Sequence, residues 1–266
     1  MKVGYIQFKP TFGEKEKNLR RIVGFLKDGA EKQADLLVLP ELCSSGYVFR
    51  SEEEVKKLSE EVPEGQTARA LAGFAEEENL YIVAGLSERR DQRFFNSAVL
   101  VGPDGFTAVY RKAHLFNEEK LWFSEGQDPF RVYRTSDAKI GMMICFDWIF
   151  PEVIRILALK GAQIVCHPSN LVLPYCQNAL LGAAIQNRVF IVTANRVGIE
   201  RGLKFTGMSQ IVSPNMEVLA RSRRAGEEVR VVEIEPKDAD SKTVTERNDL
   251  WADRRTDLYQ PLLEQM

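Results

Sequence analysis

Apolar positions along the chain follow two alternating periods. Residues 3–8 form a short apolar run, and Leu19, Ile22, Val23, Leu26 and Ala30 then fall on one helical face. Residues 36–39 are continuously apolar, the pattern of a strand buried on both faces. A second helix is expected from Thr67 through the glutamates near Glu78, then a buried strand over 80–85. Residues 97–102 and 106–111 flank Pro103-Asp104-Gly105, which predicts a hairpin. Residues 130–135 and 139–144 predict another strand pair. Pro151 suits the first turn of a helix that carries Val153, Ile156, Leu157 and Leu159 as far as Gly161. A strand over 163–167, a helix over 177–188 and strands over 189–194, 208–213 and 229–234 complete an α/β pattern. No low-complexity linker divides it, so one domain over 1–235 and a C-terminal tail over 236–266 are expected.

Composition narrows the function classes more than it identifies one. A formal net charge of −2 gives no electrostatic case for nucleic acid or an anionic membrane. No apolar run is long enough to span a bilayer, and residues 1–10 lack the layout of a signal peptide. Four cysteines in 266 residues do not suggest a disulfide scaffold. These features lead to the expectation of a reduced, cytoplasmic protein.

Three reactive side chains stand just past predicted strands: Glu41, Lys112 and Cys145. Strand ends of α/β folds often converge on a ligand crevice. Singly, each has an ordinary explanation: a surface carboxylate, a solvated ammonium, a small buried hydrophobe. Together they supply a base, a positive charge for a developing anion and a nucleophile, which is a complete set for acyl transfer.

Their surroundings resemble a known family. Pro40-Glu41-Leu42, the segment from Tyr110 to Phe116 and the segment from Ile144 to Glu152 resemble the three signature segments of the nitrilase superfamily of carbon–nitrogen hydrolases. Gly102-Pro103-Asp104-Gly105, His167-Pro168-Ser169-Asn170 and the tail from Asn248 to Arg255 extend the resemblance over nearly the whole chain, closest to a small thermophilic-type nitrilase and amidase branch. It implies a four-layer αββα sandwich with two mixed β-sheets, no cofactor, and assembly as a homodimer or higher homo-oligomer through helix faces and the tail. It also implies cleavage of a small aliphatic amide or nitrile to carboxylic acid and ammonia through a cysteine thioester or thioimidate. An N-carbamoyl amine or amino-acid hydrolase is the alternative, and a non-catalytic binding protein on the same fold is a third reading.

The implied roles fit elementary chemistry. A thiol needs a base to become an effective nucleophile, and Glu41 can accept its proton. The Lys112 ammonium and the Phe146 backbone N–H can hold the charge that attack builds. A second family glutamate follows the lysine motif. Glu118 and Glu119 both sit there, and the motif spacing favours Glu119 as the residue that positions Lys112 and substrate. Asp147 and Trp148 are expected to wall the site, with Trp148 against substrate. Tyr47 and Phe49 line the pocket or pack in the core, and Asn170 contacts ligand or caps a turn.

Cys166, His167 and Cys176 do not have the spacing of a four-ligand zinc site, so no metal is expected. One departure stands out. The family often has Arg-Ala-x-Glu-Asn in the helix before its next strand, whereas this chain has Ala183-Ala184-Ile185-Gln186-Asn187. Loss of both charges together leaves no orphan. The tail crowds Asp249, Asp253, Arg254 and Arg255 among Leu250, Trp251, Leu258 and Tyr259. It is expected either across a dimer interface or folded back on its own subunit.

Overall fold

The run at residues 36–39 is buried on both faces because it passes through the middle of a sandwich. In a computed structural model of the chain, which describes residues 1–264, it forms strand β2 (Leu36–Val38). Strands β1 (Lys2–Gln7) and β3 (Tyr81–Arg90) flank it in parallel. Strands β4 (Arg93–Gly102) and β5 (Gly105–Arg111) extend the sheet antiparallel beyond β3, with Pro103 and Asp104 in the expected turn between them. The late strand Glu228–Glu233 pairs antiparallel with β1 and completes six strands. The second sheet repeats the plan. Strands β7 (Lys139–Met142), β8 (Ile164–Ser169) and β9 (Phe190–Asn195) form a parallel trio. Strand β6 (Val132–Arg134) and the strand Gln210–Val212 flank it antiparallel, and Val218–Arg221 pairs antiparallel with the latter at the sheet edge.

Alternation sorts each strand between two apolar layers. Leu36 and Val38, with Val3, Tyr5 and Val83, face the core between the sheets. Leu37 and Leu39, with Ile6 and Phe8, face helices α1 (Lys15–Glu31) and α3 (Gln66–Glu78). The α1 helix lies close on β2 because Gly29 has no side chain; a Cβ there would stand 2.4 Å from Leu37 Cδ1. Helices α5 (Pro151–Leu159) and α6 (Cys176–Asn187) cover the second sheet, with Val153, Leu157, Leu180 and Ala184 in its core. Helix, sheet, sheet and helix make the expected four-layer αββα sandwich.

The differences from the sequence pattern are local. The short helix α2 (Glu52–Leu58) escaped notice because it buries only Val55 and Leu58, too few positions to show a period; Ser51 caps it by accepting from the Glu54 N–H. Strands β3 and β4 run past their apolar stretches into Glu88-Arg89-Arg90 and Arg93. There, Ser97 and Arg111 both bond the buried Glu88 carboxylate, which supports pairing where apolar alternation ends. The strand Val218–Arg221 lies at a sheet edge with Val218 and Leu219 exposed, so it carries no burial signal.

The tail makes a 3₁₀ turn (Pro236–Ala239), a small hairpin (Thr243–Thr245 with Asn248–Asp249) and two further 3₁₀ turns. Trp251 packs against the main core, with the Arg155 guanidinium 5.1 Å and the Lys242 ammonium 5.2 Å from its ring centre. Part of the tail thus folds back onto its own subunit, while Leu258, Leu262 and Leu263 remain exposed. Because Trp251 is half-buried and stacked by two cations, Trp251→Ala is expected to lower the unfolding free energy by about 1–3 kcal/mol in urea titrations, less than full loss of a core aromatic.

Candidate active site

Strand direction brings the three reactive residues to one edge. Glu41 follows the parallel strand β2. Two antiparallel steps return β5 to the direction of β3, so Lys112 emerges at the same end. Cys145 and Asn170 follow β7 and β8 in the facing sheet. The two sheets are tied at this edge: the Asn170 side-chain N–H donates to the Glu41 carbonyl at 2.8 Å. The chain turns sharply after Glu41, with Leu42 at φ 49°. It lies directly on β3 at Gly85, where a Cβ would stand 2.4 Å from Glu41 Cα and 2.8 Å from Leu42 N.

Lys112 is the centre of the cluster. Its Nζ donates to Glu41 Oε1 at 2.7 Å and to Glu119 Oε1 at 2.8 Å, and all three side chains are buried. Asn96 Nδ2, from β4, donates to the same Glu41 oxygen at 2.7 Å. Glu41 Oε2 has no partner among the described residues, which leaves one carboxylate oxygen able to receive a proton. Glu119 opens the short helix α4 (Glu119–Trp122). It accepts from the Tyr47 hydroxyl at 2.7 Å and from the Phe116 N–H at 3.2 Å. Glu118 is exposed, so of the two adjacent acids it is Glu119 that turns inward.

Cys145 begins a 3₁₀ turn (Cys145–Ile149) in a left-handed conformation, φ 41°, which costs a non-glycine residue energy unless its surroundings enforce it. Asp147 supplies the enforcement. Its Oδ2 accepts from the Ile144 N–H at 2.9 Å and the Tyr110 hydroxyl at 2.7 Å. Its Oδ1 accepts from the His114 N–H at 3.1 Å and lies 2.8 Å from His114 Nδ1. The expectation that Asp147 walls the site is therefore corrected: the side chain is fully buried and braces the cysteine turn against the lysine loop. The strand 139–144 also ends early, at Met142: Ile144 already caps the turn, its N–H turned to Asp147 rather than to a neighbouring strand. Below Cys145, His167 Nε2 meets the Cys145 carbonyl at 3.0 Å and the Ser169 hydroxyl at 2.9 Å, while Nδ1 meets Thr193 Oγ1 at 3.1 Å. Burial lowers the His167 pKa to about 4. A neutral ring donating from Nε2 to the Cys145 carbonyl fits these contacts.

Burial dominates the electrostatics. It raises the Glu41 pKa to about 6, partly offset by the Lys112 charge. Burial works to neutralise Lys112, but the Glu119 and Glu41 carboxylates outweigh it and hold the ammonium protonated. Burial and the nearby Glu41 charge push the Cys145 thiol well above its ordinary range, against the pull of Lys112. The resting site thus holds a neutral thiol beside a carboxylate of unusually high proton affinity. Cys43, two residues past Glu41, is packed among apolar side chains and pushed up to about 12, chiefly by burial.

Cys145 opens onto a small cavity with Phe116, Phe146, Trp148, Asn170 and Leu173 in its walls. The expected substrate contacts Phe146, Trp148 and Asn170 therefore adjoin the thiol, and Phe146 sits in the first turn of a 3₁₀ helix, where N–H groups lack intrahelical acceptors. Tyr47 lines an adjoining cavity with Phe49, Glu119 and Trp122. Sequence reasoning missed Asn96, an asparagine within an apolar strand, and Phe116. It also missed the buried Arg196–Glu200 pair at 2.8 Å, whose Glu200 accepts from the Tyr47 and Val48 N–H groups at 2.7 Å each. At the positions of the absent family pair, Gln186 is exposed and Ala183 packs on the core, so no buried charge is orphaned. Among the described residues no group of three or more His, Cys, Asp or Glu side chains is placed to hold a metal ion.

Residues 2–242 match the family model of the carbon–nitrogen hydrolases. The chain belongs to that family and is a hydrolase of the nitrilase type. Over 259 residues it is 46% identical to a nitrilase of Pyrococcus abyssi, a match that covers 97% of this chain and 99% of the relative. A carbon–nitrogen hydrolase of Helicobacter pylori superposes with a TM-score of 0.89 at 28% identity, covering 100% of this chain and 98% of that one. An amidase of Nesterenkonia sp. AN1, with the acetamide moiety of fluoroacetamide covalently added at its active-site cysteine, superposes at 0.82 with 26% identity, covering 98% and 96%. For this carbon–nitrogen hydrolase, Gly85→Ala is expected to displace the Glu41 loop: activity should drop at least tenfold, with a stability loss of about 1–3 kcal/mol, read from turnover and thermal unfolding of the same sample.

Proposed function

We propose that the enzyme hydrolyses small, uncharged aliphatic amides, and nitriles as a secondary class, with Cys145 as nucleophile, Glu41 as base and Lys112 as anion stabiliser. The observation that carries this reading is that the cavity at Cys145 is walled mainly by apolar side chains while the nearby cations are already paired. Lys112 is held by Glu41 and Glu119, Arg111 by Glu88 and Asp128, and Arg196 by Glu200. A carbamoyl amino acid would bring a carboxylate into a site with no free cationic partner for it among the described residues, which disfavours that alternative.

Asn170 favours an amide over a nitrile. Its Nδ2 donates to the Glu41 carbonyl, which fixes the amide orientation, and its buried Oδ1 is without a partner among the described residues. An unpaired buried acceptor is costly, and a substrate NH₂ group supplies the donor that a nitrile lacks.

The reaction then runs as follows. Glu41 takes the Cys145 proton as sulfur attacks the carbonyl carbon. The oxygen gains negative charge, held by the Lys112 ammonium and the Phe146 N–H. Glu41 returns the proton to the nitrogen, the C–N bond breaks and ammonia leaves a thioester. Water attacks the thioester while Glu41, steadied through Lys112 by Glu119, accepts its proton. Collapse releases the carboxylic acid and restores the thiol. We further infer assembly as a homodimer through the exposed apolar residues of the tail. Light scattering of the full chain and of one ending before Asn248 checks it; a full-length monomer counts against it.

Ammonia release from a panel of short amides, nitriles and carbamoyl compounds tests the substrate class, and preferred turnover of carbamoyl amino acids would overturn it. Cys145→Ala and Glu41→Gln are expected to lose about 10² to 10⁴ in kcat or more with folding intact. Lys112→Met should lose stability as well, by about 3–5 kcal/mol at neutral pH, because two carboxylates stay buried without their counter-charge. The base must be ionised in the free enzyme, and Glu41 is raised to about 6. As pH falls through that value, kcat/KM should decline about tenfold per unit. A profile flat down to pH 4.5 would remove Glu41 as the base.

A further inference from the structure

The cavity at Cys145 holds only about 20 Å³, near the space one water needs. A neighbouring cavity of about 70 Å³ lies on the Glu119 side. Phe116 and Val172 line both, so these two residues lie between them. Glu41, Lys112 and Glu119 are fixed by short hydrogen bonds and cannot make room without breaking the charge cluster.

Phe116 is built differently. Its backbone is pinned, because its N–H donates to Glu119 Oε2 at 3.2 Å, and the next residue, Asn117, takes a left-handed turn at φ 47°. Its ring is half-buried and rests on Phe146 at 5.0 Å between centres. An aromatic side chain on a fixed backbone, held by apolar contact alone, can swing about its own rotamers. The far cavity that its movement would expose is lined by Tyr47, Phe49, Trp122, Phe123 and Leu203 besides the two acids and Asn117.

We propose that Phe116 is a movable partition whose displacement joins the two cavities into an acyl-chain subsite for an uncharged, unbranched aliphatic chain. The subsite rests on Cys145 being the nucleophile. It makes Phe116 the residue that sets acyl length: with the ring in place only the shortest acyl group is accommodated beside the thiol, and longer chains bind at the cost of swinging it aside.

The test uses straight-chain aldehydes from acetaldehyde to hexanal. The thiol adds across the carbonyl to give a hemithioacetal, with the thiol proton passing to the new hydroxyl, so binding needs no C–N bond. Protection of Cys145 from iodoacetamide, read by peptide mass analysis, gives an affinity for each chain length in the native protein, Phe116→Ala and Phe116→Leu. The ratio of hexanal to acetaldehyde affinity is expected to rise about tenfold or more in Phe116→Ala, with Phe116→Leu in between and acetaldehyde itself little changed. The same chain-length profile in all three proteins, or no protection by any aldehyde, overturns the proposal. A profile that shifts in an enzyme with no turnover on amides or nitriles leaves the subsite standing and sinks the substrate reading instead.

Discussion

One ammonium group shared between two buried carboxylates sets the terms for the rest of the site. Lys112 carries a single positive charge against Glu41 and Glu119 in a region without solvent contact. The cluster is thus one negative charge in excess when both acids are ionised, and such an excess in a low-dielectric interior is tolerable only with dense hydrogen bonding. The surrounding residues supply it: Asn96 on Glu41, and Tyr47 and the Phe116 N–H on Glu119. Burial, reinforced by the same excess, explains why the thiol keeps its proton at rest. A thiolate would add a second uncompensated charge, so it is favoured only when the proton moves to Glu41 and the total is unchanged.

A second constraint is the positive φ of Cys145. A strained turn relaxes unless both its ends are held. Asp147 holds it from below by bonding the Ile144 N–H and from the facing sheet through Tyr110 and His114. His167 adds a hold on the Cys145 carbonyl. Neither Asp147 nor His167 needs to touch a substrate to matter. They determine where the sulfur points, as Asn170 does for the backbone of Glu41.

Much of this was legible from residue order alone, and what was not has a common cause. Glu41, Lys112 and Cys145 follow strands whose apolar runs are strong signals, and Glu119 follows the lysine motif at fixed spacing. Asn96 lies on β4, in another part of the chain from Glu41, and only the β3–β4–β5 register places it there. Asp147 sits beside the nucleophile in sequence, which suggests a wall residue; a 3₁₀ turn rotates it to the opposite side. Phe116 reads as half of a short apolar pair with Leu115 in the lysine motif, and its position between two cavities is a three-dimensional fact. The fold was easier to read than the site because burial leaves a periodic trace, whereas a hydrogen bond between distant strands leaves none.

The reacting groups are divided between the two sheets, Glu41 and Lys112 on one and Cys145 on the other, so the thickness of the core sets the gap between base and nucleophile. Val38 and Met142, a few residues before Glu41 and Cys145, belong to that shared core. The sandwich therefore works as a caliper. Packing changes of a few tenths of an ångström in that core bear on the distance a proton must cross, and the Asn170–Glu41 bond across the two sheets helps to hold it. Selection on the interior of such a protein acts on catalysis as directly as on stability.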